Sequence, residues 1–233
     1  MAKWMKWDWR VVGGAMAGLL LWASSPVLAE DLLPKAGTWS FGTRSGYTFG
    51  LDNKDVEMVP VHLHIGYTMF NGKLWFLPEG SFEIGVEPFA SVITDFKQHR
   101  GSGSGDDSGD SGEDELTSSF SSSSETKKRV SGSNEFGLAL PMFTYYFNLG
   151  GNIVPYLTAG TGIMYKDLRG LRLGGHFTFM ETAGVGIAYF VSKDVSLSAE
   201  WRFRHMSNAG IYNDNVGLNS SQVMAGFSYY LPN

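Results

Sequence analysis

The sequence predicts an all-β fold, an eight-stranded antiparallel transmembrane β-barrel with a polar, filled interior. Three observations carry that prediction. Runs of alternating apolar and polar residues recur along the chain, most of them at or above the ~9–11 residues that a tilted membrane strand needs. Of the thirty glycines, nine (Gly42, Gly46, Gly66, Gly85, Gly160, Gly162, Gly184, Gly186 and Gly226) fall on the polar face of those runs, beside its charged residues, and no sustained helical period appears in them. Ahead of them stands a leader: Lys3, Lys6 and Arg10, the apolar run Val11 to Ala23, then Pro26-Val27-Leu28-Ala29. That order matches a secretory signal peptide over 1–29, with Glu30 as the expected first mature residue.

Removing 29 residues from 233 leaves 204, enough for one closed β domain over 30–233. No cysteine is present, which excludes a disulfide framework and a thiolate metal site. The net charge of −5 offers no basic stripe for nucleic acid.

The first strand is expected over Thr38 to Gly50, where Trp39, Phe41, Tyr47 and Phe49 share one face. Asp52-Asn53-Lys54-Asp55 makes a turn. The second, Met58 to Phe70, sets Val59, Val61, Leu63 and Ile65 against His62, His64 and Gly66; a connection beginning at Asn71-Gly72 ends near Pro78-Glu79-Gly80. The third, Ser81 to Ile93, opposes Phe82, Ile84 and Val86 to Glu83, Gly85 and Glu87. From Lys97 to Ser133 the composition turns to Gly, Ser, Asp and Glu without apolar periodicity, which reads as a mobile acidic external loop whose spacing does not match a calcium-binding hand. Strands resume at Glu135 to Asn148, with the alternation blurred at Pro141, and continue at Ile153 to Tyr165, Phe177 to Phe190, Val195 to Met206 and Ser221 to Leu231. Glu181 breaks the pattern by sharing the parity of Phe177, Phe179 and Val185.

Alternation alone does not say which face is inside. The glycines decide it, because a water-facing strand gains nothing from glycine, whereas a narrow barrel interior needs small residues beside its few large ones. Arg44, His62, His64, Glu83, Glu87, Glu200, Arg202 and Arg204 share the glycine face. That face is therefore the lumen, where opposite charges pair, and the aromatic-rich face meets lipid. A lumen filled with charge argues against a solute channel. Both termini on the periplasmic side place the connection from Ser207 to Ser220 outside the cell.

His205 and Ser207 stand two apart at the end of the seventh run and share the parity of Trp201 and Phe203, the lipid-facing set. Two polar residues at the interfacial girdle are one reading of the pair. A nucleophile and its base, open to a lipid ester, are the other. His62 and His64 have the i, i+2 spacing of metal ligands but also Glu83 and Glu87 as lumen partners; His99 and His176 join no constellation, and Ser118 to Ser124 is too flexible a stretch to position a nucleophile.

The hexapeptide His205-Met-Ser207-Asn208-Ala-Gly210 at the end of the penultimate strand resembles the signature of the lipid A 3-O-deacylase family of outer-membrane barrels. The likeness extends more weakly through Tyr156-Leu-Thr-Ala-Gly-Thr-Gly162 and Glu181-Thr-Ala-Gly-Val-Gly186. The resemblance implies a serine esterase in the bacterial outer membrane that removes the 3-O-linked hydroxyacyl chain of lipid A, with no metal or cofactor. It implies Ser207 as nucleophile, His205 as general base, and Asn208 with backbone N–H groups around Gly210 at the oxyanion. The family's third triad member is a glutamate, and ungapped spacing puts Asn219 there. An amide accepts a hydrogen bond from the imidazole but offers it no charge, so activity is expected to be weakened, or Asp214 of the same loop substitutes. The rival reading is a non-enzymatic surface or adhesion barrel whose acidic loop is its working part.

Overall fold

The computed structural model describes residues 32–51, 56–96, 134–167, 175–212 and 217–231. The leader, the acidic stretch 97–133 and Asp214 lie outside the described residues. Eight antiparallel strands close into one barrel in chain order: β1 (Trp39–Gly50), β2 (Val56–Lys73), β3 (Glu79–Phe96), β4 (Asn134–Phe147), β5 (Ile153–Lys166), β6 (Phe177–Ser192), β7 (Val195–Ser207) and β8 (Leu218–Tyr230). β1 pairs with β8, so the sheet has no free edge, as a chain in lipid requires.

Several strand boundaries differ from the sequence expectation, and two of them have a clear cause. Asn71 and Gly72 are not in a turn: the β2–β3 ladder runs on to Lys73 opposite Glu79, while the Asn71 side chain ties down the segment before β1 through Pro34 O (2.8 Å) and the Ala36 N–H (2.6 Å). β8 begins at Leu218 rather than Ser221, because Leu218 and Ser220 point inward and Asn219 completes the ladder opposite His205. The blurred alternation at Pro141 is a bulge; the β4–β5 register slips between Ala139 and Met142, where proline has no N–H for the ladder.

The interior is layered. At the end carrying the longer connections it is thioether-rich, with Met58, Met142, Met164, Met180 and Met206 packed beside Phe89 and Leu218. Charges fill the middle. His64 lies between Glu83 (2.9 Å) and Glu87 (3.1 Å), and Arg44 also pairs with Glu87. Arg202 joins Glu87 (2.7 Å) to Glu200, which accepts from the Tyr156 hydroxyl at 2.8 Å. Arg204 takes a partner that the sequence reading left out of the network, Glu135, at 2.6 Å. At the other end Tyr146, Tyr156, Phe190 and Tyr230 pack against Leu32 and Leu33, which close the mouth. The lumen glycines make room for these side chains; a Cβ at Gly186 would enter the Tyr156 ring. Outside, Trp39, Leu63, Leu157, Val185 and Trp201 are exposed along an apolar wall.

Candidate active site

β7 carries the site because alternation sorts its residues without interruption. Arg202, Arg204 and Met206 are buried in the lumen, while Trp201, Phe203, His205 and Ser207 face outward. The β6–β7 and β7–β8 registers are continuous here, pairing His205 with Glu181 on one side and Asn219 on the other. Glu181 in turn pairs with Thr161 of β5. The result is an outward polar row, Asn219–His205–Glu181–Thr161, on a largely apolar wall. No bulge reorients Glu181, so its odd parity is real: a carboxylate on the lipid side, one strand from the imidazole.

Within this row the His205 imidazole is held. Its Nδ1 lies 2.7 Å from the Asn219 Oδ1, a hydrogen bond in which a protonated Nδ1 donates to the amide oxygen. Gly217 passes over the other edge of the ring with φ +71°, and a Cβ there would stand 3.0 Å from Cε1 and 3.7 Å from Nε2. With Nδ1 committed to Asn219, Nε2 is the nitrogen left to exchange a proton.

Beyond Ser207 the chain turns sharply. Ala209 (φ 51°) and Gly210 (φ 80°) are both left-handed, and the Ile211 N–H closes the turn on Asn208 O at 3.0 Å. That is a type I′ geometry, with a strained alanine where glycine or asparagine is usual. The Asn208 side chain is fully buried and its Oδ1 accepts the Gly210 N–H at 2.8 Å. The Ala209 N–H donates to Ser207 Oγ at 3.1 Å. A backbone donor is therefore aimed at the hydroxyl oxygen, while the Gly210 N–H is used within the turn.

Just below the polar row runs an apolar trench of about 490 Å³ across the outer wall. Its floor is the cross-strand pair Ala159 and Ala183; Phe143 and Leu157 bound it on one side, Trp201 and Phe203 on the other. Phe203 and Ala183 occupy the register position next to His205 and Glu181 on the same face, roughly 7 Å along the strand. Of the residues expected at the site, His205, Ser207 and Asn219 stand on the outer wall, whereas Asn208 is buried behind Ser207 with its amide oxygen turned to the Gly210 N–H. Sequence alone does not reveal Glu181 beside His205, with Thr161 one strand further on, and the parity anomaly of Glu181 is its one visible signal. Nor does it reveal Gly217 or the Ala159–Ala183 floor, which emerge only from pairing register. Among the described residues no group of three His, Asp or Glu side chains forms a metal site.

The family model described as lipid A 3-O-deacylase (PagL) matches residues 104–228, more than half of the chain and the whole of this patch. The chain belongs to the lipid A 3-O-deacylase family. It is an outer-membrane β-barrel of that family. No curated protein sequence matches it. Among solved structures, the outer membrane enzyme PagL is similar at 18% identity and TM-score 0.46, covering 80% of this chain and 97% of that one. Neisserial surface protein A is similar at 13% identity and TM-score 0.50, covering 83% and 97%. The N-terminal β-barrel domain of Pseudomonas aeruginosa OprF follows at 13% identity and TM-score 0.44, covering 83% and 98%. At these identities the likeness is one of fold.

Proposed function

We propose that this deacylase-family barrel is a serine esterase that hydrolyses the 3-O-linked hydroxyacyl ester of lipid A in the outer leaflet. The observation that carries the reading is the His205–Asn219 hydrogen bond of 2.7 Å on the outer wall, two residues from Ser207 and directly above an apolar trench. Structural polar residues in an interfacial belt have no need of an imidazole fixed in one tautomer, whereas a general base does.

In this mechanism the Ser207 Oγ attacks the ester carbonyl carbon while His205 Nε2 takes its proton. Asn219 Oδ1 holds the Nδ1–H and so keeps Nε2 in the accepting form. Negative charge develops on the carbonyl oxygen, where the Ala209 N–H, two residues past Ser207, stabilises it, while the buried Asn208 side chain holds the turn through the Gly210 N–H. Collapse breaks the bond to the sugar 3-oxygen, which leaves with the proton from His205. A water molecule, deprotonated by His205, then frees the acyl group from Ser207. Because the site faces outward, a substrate reaches it without leaving the membrane, and its acyl chain lies in the trench. Glu181 adds a negative potential beside the imidazolium that forms.

Mass spectrometry of lipid A from cells expressing the protein tests this reading. The wild type should lower the mass by one hydroxyacyl chain, and Ser207→Ala should restore it. No mass change from wild type whose folding is verified by heat-modifiable gel mobility would overturn the reading and leave a non-enzymatic barrel.

A further inference from the structure

One side chain on the outer wall does not behave as its position dictates. Ser221 lies between Asn219 and Val223 on the outward parity of β8, yet it is only 2% exposed, whereas Val223 is 54% exposed. It sits in register between Phe203 of β7 and Phe49 of β1, and its hydroxyl accepts a 2.7 Å hydrogen bond from the Trp201 indole N–H. The indole is also a wall of the trench.

The bond has a direction. Trp201 stands on β7 between β6 and β8; the trench floor, Ala183 and Ala159, lies on the β6 side, and Ser221 lies on the β8 side. The hydroxyl therefore draws the nitrogen edge of the indole away from the floor. In a hydrocarbon environment an indole N–H has no water to turn to, so the bond fixes the ring more firmly than it would in solution. Without it, the small residues Ala183 and Ala159 leave the indole space to settle across the trench. Trp201 lies six residues before Ser207 on one strand, roughly 20 Å, so only the far end of a long acyl chain whose ester lies at Ser207 approaches the ring.

Resting on the esterase reading above, we propose that the Trp201–Ser221 pair is a specificity device: Ser221 holds the indole aside so that the trench admits the far end of a long acyl chain. Ser221 touches no substrate; it acts through Trp201.

The test uses the full-length protein in detergent micelles with two glucosamine monosaccharides, one carrying a 3-O-(3-hydroxydecanoyl) and the other a 3-O-(3-hydroxytetradecanoyl) ester. Ser221→Ala should lower the ratio of kcat/KM for the long over the short ester about fivefold, the factor one ordinary hydrogen bond is worth. Trp201→Phe keeps an aromatic wall but has no N–H to hold, so in that background Ser221→Ala should leave the ratio unchanged. An unchanged ratio in the single mutant, or an equal fall in both backgrounds, overturns the proposal while leaving the esterase reading intact. Cleavage of neither ester by wild type instead defeats the esterase reading, and fluorescence then decides the contact. A bromine-labelled tetradecanoyl ester should quench the emission that Trp201→Phe removes, and absence of quenching overturns the proposal on its own.

Discussion

His205 of β7 and Asn219 of β8 are register partners on the outer wall, joined through Nδ1 and Oδ1 at 2.7 Å. An amide oxygen fixes the imidazole as a carboxylate would but lends no charge to the imidazolium. Asn219→Ala should lower kcat about 10- to 100-fold, the worth of one hydrogen bond to a charged group. Asn219→Glu puts a carboxylate at the same register position and should preserve or raise kcat, because an ionised acceptor makes a bond roughly twice as strong as a neutral one. Steady-state rates on a lipid A monosaccharide ester check both. Loss of activity in Asn219→Glu would show that the amide, not the position, is what the site needs.

The barrel was legible in the sequence because its physics is local. Strand parity sorted Arg44, His64, Glu87 and Arg202 into the lumen and Trp201 and Phe203 into lipid, and the structure places them so. The spacing of His205 and Ser207 was legible for the same reason. What was hidden depends on register between strands. The partnership of Arg204 with Glu135 joins residues 69 apart, and no pattern within either strand announces it. The start of β8 was obscured because Asn219 and Ser220 look like loop residues until β7 and β1 supply their ladder partners. Glu181 was visible as an exception, but its meaning came only when the register set it beside His205.

Gly217 should be sensitive to the smallest substitution. Its φ of +71° disfavours any side chain, and a Cβ would press on Cε1 of His205 at 3.0 Å. Gly217→Ala is expected to reduce kcat about tenfold with KM little changed, since the imidazole is displaced while the trench is untouched. Labelling of Ser207 by a fluorophosphonate should slow in parallel. Equal labelling rates in mutant and wild type would show that the ring has room to spare.

The Arg204–Glu135 pair lies directly inside the site, with Arg204 Nε also 3.2 Å from Ser220 Oγ, the neighbour of Asn219. Both charges are buried, so removing one strands the other. Glu135→Leu or Arg204→Met should each destabilise the barrel by about 3–5 kcal/mol, and the double substitution should recover much of that loss. Urea unfolding followed by heat-modifiable mobility measures it. Additive losses in the double mutant would show that the two charges act independently.

Ala209 holds a left-handed conformation (φ 51°) that costs a non-glycine residue about 1–2 kcal/mol, while its N–H points at Ser207 Oγ from 3.1 Å. On the proposed mechanism the strain sits where a donor is aimed, and its two effects are separable. Ala209→Gly relieves the steric term but adds freedom to the unfolded chain, so stability should change by less than about 1 kcal/mol. The same substitution lets the turn sample other conformations, and a donor that must be in place before charge develops then spends less time there. The expected result is a several-fold fall in kcat with stability nearly unchanged, read from rates and urea unfolding on the same preparation. A mutant as active as wild type would assign the strained alanine to the turn alone and move the oxyanion donor elsewhere, with Asn208 the next residue to vary.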